Sequence, residues 1–376
     1  MTSTSTRNMP AKTDAVSFLP ETSSIVRLPV VKRDLDSFKY LTEPEFLGRA
    51  PKLGQMIAIN SPTDRVSGGF FLQKDYLVAC GWKAAVSDLE PGSFKAPHQQ
   101  KLGGEMRDGI IFSKPRLQVL FETGALLEKK EVIKTKEGTQ RRSTIIGSMN
   151  PADNVDDPGR VNYLWDTYKD DPVNHTLRTW YSVFVLSSTG QRCHDLPLLL
   201  SIKGATGGTF SSQLKEFRDN MAKTIAVATN TPKRPQNYDA YAQFVFQPLL
   251  ELTEVGRGTD TSDATTAVAA TQPVYDMGPE AAQLSLNDLI IPENLMKQTQ
   301  DERHDEFAIS TMCRYSNEYS SVLNIAPGVQ ITPMGIEPKF EQQTAEVSAM
   351  TAAPEVNVLP SSSMPKDSYG ADASFE

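Results

Sequence analysis

At 376 residues the chain is long enough for one large or two ordinary domains. It has no run of about 18 apolar residues to span a membrane and no apolar stretch after the N-terminus to act as a secretory signal, so a cytoplasmic location is expected. The formal net charge of −8 hides an uneven distribution: residues 251–376 hold 20 acidic against 6 basic residues, which leaves 26 acidic and 32 basic in residues 1–250. A mildly basic body with an acidic C-terminal third points to a polyanion partner, an ordinary solvated surface being the plainer reading.

Residues 1–40 are polar and read as a flexible N-terminal arm. The body is expected over 41–255. "KLGQMIAI", "FFLQKDYLVACGW" and "IIFSKPRLQVLFE" read as short strands punctuated by Gly and Pro. "LEPGSFKAPHQQKLGGEMRDG" reads as a polar loop between them, and Pro115 marks an edge or a bulge. "LLEKKEVIKTKEGTQRRSTIIGSM" has apolar ends around a charged middle with a glycine turn, the pattern of a projecting β-hairpin. Its arms carry Lys129, Lys130, Lys134, Lys136, Arg141 and Arg142 against Glu128, Glu131 and Glu137.

"HTLRTWYSVFVLSS" and "DLPLLLSIKG" are strands by composition. In "FSSQLKEFRDNMAKTIAVA" the residues Phe210, Leu214, Phe217, Met221 and Ile225 fall at helical spacing and form one apolar stripe. "YAQFVFQPLLELTEV" supplies a further strand. Hairpin, strand, strand, helix and strand in this order fit an oligonucleotide-binding (OB) barrel, and several α+β sandwiches share it. Residues 256–275, "GRGTDTSDATTAVAATQP" and its flank, read as a low-complexity linker. Residues 276–326 hold two short helices, "EAAQLSLNDLIIP" and "TMCRYSNEYSSVLNI", and 327–376 have the composition of a disordered acidic tail. The expected fold class is thus β-rich, all-β or α+β: an OB-like barrel with one prominent amphipathic helix and disordered ends.

The glycines of "KGATGGTFSSQ" do not make a P-loop, which needs GxxxxGK[ST]; Lys203 precedes the first glycine. Nor do they make GxGxxG. They read as a tight turn with Thr209 as helix N-cap, whose free N–H groups are suited to one phosphate oxygen of a polymer. No GxSxG elbow or HExxH occurs. Cys80, Cys193 and Cys313 lie far apart, as do the four histidines, which argues for reduced thiols and against a metal centre. No catalysis, no cofactor and no metal is expected.

Nucleic-acid binding needs cations along the phosphates and flat rings for the bases. "YLWDTYK" offers Trp165. Along 178–184, Arg178 and Trp180 alternate onto one face, while Val183 and Val185 mark the other as more core-like. Lys203 ends the next strand. The expected binding set is therefore Lys129, Lys130, Lys134, Lys136, Arg141, Arg142, Trp165, Arg178, Trp180 and Lys203, although Trp180 also suits a core.

The acidic end, "SYGADASFE", places Phe375 between Asp372 and Glu376. In organisation, not in motif, the chain resembles single-stranded DNA-binding proteins of phages and plasmids, which join an OB body to a disordered acidic tail ending in or near phenylalanine. The resemblance implies a sequence-tolerant, non-catalytic protein of replication or recombination. It also implies that Asp372, Phe375 and Glu376 dock replication or recombination proteins. The partners expected are single-stranded nucleic acid and, through self-association, further copies of the chain, with no membrane. The alternative is a structural or assembly protein of a phage or mobile element, without nucleic-acid affinity.

Overall fold

The computed structural model describes residues 54–59, 68–102, 104–135, 138–257, 260–305, 308–309 and 324–336, with backbone alone at 134–135, 138, 140–141, 254–257, 260–263 and 324. The N-terminal arm, Cys313, most of "TMCRYSNEYSSVLNI" and residues 337–376, with Asp372, Phe375 and Glu376, lie outside them.

Strands β1 (Gln55–Ile59) and β2 (Gly69–Gln73) lead into helix α1 (Lys74–Ala79). Strands β3 (Phe94–Leu102), β4 (Glu105–Phe112), β5 (Arg116–Glu122), β6 (Leu126–Thr135) and β7 (Gly138–Ser148) follow. Helix α2 (Arg160–Asp170), strands β8 (His175–Leu186) and β9 (Leu198–Lys203) and the long helix α3 (Gly204–Thr229) come next. Then come α4 (Tyr238–Tyr241), β10 (Val245–Phe246), β11 (Pro248–Arg257), β12 (Asp260–Ala269), α5 (Pro279–Leu289), α6 (Glu293–Arg303) and β13 (Asn324–Ile325). No described helix is long and apolar enough to cross a membrane.

Eleven strands form one mixed sheet. Its organising element is β8, twelve residues long. One edge of β8 pairs with β9. The other edge pairs first with β6, over Arg178 to His175, and then with β5, over Tyr181 to Leu186. The sheet therefore forks: β6 continues to β7 and β13, and β5 to β10. The corner between β5 and β6 is Thr123–Ala125, where a Cβ on Gly124 would stand 2.8 Å from that of Asn150. Among the described residues no pairing joins the outer strands β3, β10 and β13 to one another. The β-rich body is present as an open, branched sheet.

Both faces are covered. Toward α3, Tyr181, Val183 and Val185 meet Phe210, Leu214 and Phe217. Phe210 lies at the centre, 4.9 Å from Tyr181 and 5.4 Å from Phe246 between ring centroids. On the opposite face Trp180, Phe184, Phe121 and Leu199 pack under Leu295 of α6 and Ile331. Burial of each such side chain contributes about 1.5–3 kcal/mol.

The helical stripe of Phe210, Leu214, Phe217 and Met221 is the buried face of α3, and the projecting hairpin is β6–β7. Five expectations are corrected. The polar text at 89–109 contains β3 and the start of β4; on an edge strand alternate residues face water, so polarity does not mark a loop. The linker at 256–275 contains β12, paired along its length with β11. The strand expected in "FFLQKDYLVACGW" ends at Gln73, where helix α1 takes over through Ala79, and "YLWDTYK" lies in helix α2. Thr209 is not the N-cap of α3: Lys203 takes that position and the helix begins at Gly204. Of the expected tail, Ile331 is buried and the Met334 N–H donates to Glu122 O at 2.8 Å, so 327–336 belong to the body.

Candidate nucleic-acid interface

Alternation along β8 puts Arg178 and Trp180 on the face away from α3, and the register sets Arg178 opposite Lys203 and Trp180 opposite Ser201. At the centre of this stretch sits the carboxylate of Glu128, 1 % exposed. Arg178 Nε donates to it at 2.6 Å and Lys203 Nζ stands 3.8 Å away. Arg178 also donates from Nη1 to Ser201 Oγ at 2.6 Å. Burial pushes the Glu128 carboxyl up, but the hydrogen bond and charge of Arg178, with Ser143 and Lys203, hold it below the ordinary carboxylate value. Burial lowers the Lys203 ammonium, Glu128 raises it, and Arg178 and Lys130 lower it again. Arg178 and Lys203 thus hold the buried anion, and Lys130, within charge range of Lys203, extends the positive field.

Beside the cluster lies a cavity of about 250 Å³ lined by Arg178, Ser201, Lys203, Ile57 and Thr206. Thr206 is in the first turn of α3, a 26-residue helix with no acidic residue in that turn. The positive end of its dipole therefore adds to the field of the cations. Counting by twos along β6 from Glu128 reaches Lys130 and Lys134, and Arg141 pairs across from Val132 in the same set of positions.

The other expected residues are placed elsewhere. Trp180 is 0 % exposed and cannot present a ring to a base; α6 and the 324–336 segment, remote in sequence, cover its face. Arg178 is 11 % exposed and committed to Glu128, so it shapes the cluster more than it meets solvent. Lys129 falls in the opposite set of positions and pairs with Glu131 at 2.9 Å, and Arg142 stands across the hairpin from Glu131. Trp165 is exposed, but α2 packs through Leu164 on Leu127 and Leu177, the other side of the sheet from Arg178. Lys136 is outside the described residues.

Glu128 and Ser201 were missed by sequence reasoning. The signal available was positional parity: Glu128 and Lys130 alternate together on one arm of a hairpin that composition already revealed. The cysteines described, Cys80 and Cys193, are buried, and burial pushes both thiols up, Cys80 to about 12. They are not poised as nucleophiles at neutral pH. Among the described residues no three His, Cys, Asp or Glu side chains gather in a metal-holding group.

Fold and site together define a β-rich protein with a forked mixed sheet, a long helix on one face and a cationic cluster on the other. The chain belongs to the family described as Domain of unknown function (DUF5895), whose model matches residues 50–278. The match spans β1 to β12 and ends before α5, so α6 and the 324–336 segment over Trp180 lie beyond it. No curated protein and no solved structure matches the chain.

Proposed function

We propose that the chain is a non-catalytic, sequence-tolerant single-stranded DNA-binding protein of replication or recombination, with an OB-like body. The observation that carries the reading is the pairing of Arg178 and Lys203 on Glu128 at the wall of a cavity by the N-terminus of α3, with Lys130 within charge range of Lys203. The order of β6–β7, β8, β9, α3 and β10 supports the OB-like element. Affinity would come from counterion release along this row and onward to the hairpin. With about three phosphates neutralised, single-strand binding should weaken about 20-fold between about 50 and about 200 mM salt.

Titration of a fluorescent oligo-dT at those two salt concentrations tests this. Lys130→Ser with Lys203→Ser should flatten the salt dependence while leaving the fold intact. Absence of binding at low salt, or an unchanged slope in the double variant, removes the proposal.

The assembly reading also has an observation behind it. Beyond Lys130, among the described residues, the β6–β7 arms pair with each other alone, and β11–β12 form a two-stranded sheet of their own. Such arms suit contacts between copies of a chain. Sedimentation velocity showing large regular assemblies, without oligonucleotide affinity, would favour it.

A further inference from the structure

A second cavity, of about 650 Å³, lies on the opposite side of β8. Helix α3, the Glu122–Ala125 corner and the chain from Lys233 to Tyr241 enclose it, and Met334 closes one side. Its volume falls within the roughly 300–1,000 Å³ of small-ligand sites. Thr179 and Tyr181 line its β8 side, and the Tyr181 hydroxyl stands 2.7 Å from Ser211 Oγ. Tyr238 and Tyr241, half-buried, supply aromatic walls, with the Arg218 guanidinium 4.6 Å from the Tyr241 ring centroid.

The charges decide what such a cavity accepts. Glu122 is taken up by Arg218 at 2.7 Å, both side chains being about nine-tenths buried. Asp219 is shared by Lys223 and Lys233. Lys215 is the lining cation that pairs with no carboxylate among the described residues. Burial raises the Tyr181 and Tyr238 phenols, so both remain protonated. The site thus combines one uncommitted ammonium, aromatic walls and internal hydroxyls. A cation would meet no free carboxylate there, and a purely apolar ligand would leave Lys215 unused.

We propose that this cavity is a second binding site, for a nucleoside monophosphate unit, with the phosphate on Lys215 and the flat base against Tyr238 and Tyr241. The unit comes either from free nucleotide or from the 5′ end of a strand. The site is independent of the Glu128 cluster, which occupies the other face.

Calorimetric titration of the full chain with deoxyadenosine monophosphate, deoxyadenosine and inorganic phosphate separates the contributions of ring and anion. Saturable binding of the monophosphate is expected, weaker for either fragment. Lys215→Ser and Tyr241→Leu should each weaken it about tenfold, the cost of one charge-assisted or stacking contact. Lys130→Ser with Lys203→Ser should leave it unchanged. Competition by 5′-phosphorylated but not 5′-hydroxyl oligo-dT would assign the strand end as source, and indifference to both would assign free nucleotide. Because Tyr241→Leu can disturb packing, the surface variant Lys215→Ser with an unchanged melting curve is the deciding one. Failure of the monophosphate to saturate, or equal binding by Lys215→Ser and the natural sequence, overturns the site.

Discussion

The hydroxyl of Thr209 receives the backbone N–H of Ala267 at 2.8 Å, so a helix takes the place of a neighbouring strand. Two further contacts continue the seam: Thr206 Oγ1 donates to Thr265 O at 2.6 Å, and Gln213 Oε1 accepts from Ala269 N at 3.1 Å. Residues 206, 209 and 213 form one helical stripe of about 10 Å. Alternate residues 265, 267 and 269 of β12 span about 13 Å. The two repeats match closely enough for side chains to satisfy one strand edge. The glycine-rich start of α3 lets the helix turn back closely on β9, since a Cβ on Gly207 would come within 3.2 Å of the Ile202 carbonyl. Thr209→Val removes the acceptor and leaves the Ala267 N–H unpaired, at a cost of about 1–3 kcal/mol. Urea unfolding and amide exchange at Ala267 read this directly. A variant as stable and as protected as the natural sequence would mean that β12 is held by β11 alone.

Trp180 separates two roles that composition leaves mixed. It is fully buried among Phe184, Leu199 and Leu126, whereas Trp165 is 38 % exposed. Trp180→Ala is expected to cost about 3–5 kcal/mol through the cavity it leaves, and Trp165→Ala to leave the melting temperature within a degree or two of the natural chain. Equal melting temperatures for the two variants would contradict the packing.

The difference between these tryptophans explains what the residues alone could reveal. Local patterns were legible: the Phe210–Met221 stripe, the β6–β7 hairpin with its glycine turn, and the alternation of Arg178 with Tyr181 and Val183. What covers a face is not local. The lid on Trp180 comes from α6 and Ile331, over a hundred residues away, so the second buried face of β8 had no signature within β8. The same holds for β12, whose Thr/Ala text looks like a linker until Thr206, Thr209 and Gln213 supply its missing hydrogen bonds. In the candidate site the cations Lys130, Arg178 and Lys203 were legible as charges, but Glu128, which holds the last two, is fifty residues from Arg178 and looked like one more hairpin acid.

His194 gives a pH prediction. Its ring lies between Phe184 and Trp82, with centroids 5.3 and 5.8 Å away, and its Nε2 accepts the Val185 N–H at 2.9 Å. Burial, first of the causes, lowers its pKa from 6.5 to about 4. The unfolded chain therefore binds the proton more readily. The contribution is complete above pH 6.5 and is lost as pH falls toward 4, for a total of at most about 3 kcal/mol. Chemical denaturation at about pH 7 and about pH 5 should show a larger acid loss for the natural chain than for His194→Gln. Parallel pH profiles for the two would show that His194 does not carry the acid sensitivity.

Glu128 is where stability and the proposed interface pull apart. Its carboxylate is 1 % exposed and holds Arg178 at 2.6 Å, so Glu128→Gln leaves a largely buried guanidinium without its counter-charge. Removing one partner of such a pair costs about 3–5 kcal/mol. The same change raises the positive potential around Lys203 and the neighbouring Lys130, since the buried carboxylate that offsets Lys203 is gone. Oligo-dT affinity at low salt should therefore rise while the denaturation midpoint falls, with the salt slope steepened by about one phosphate contact. A purely structural network would give the second effect without the first. A Glu128→Gln protein that is less stable and binds no better would thus keep the ion pair as an architectural element and take the cluster out of the interface.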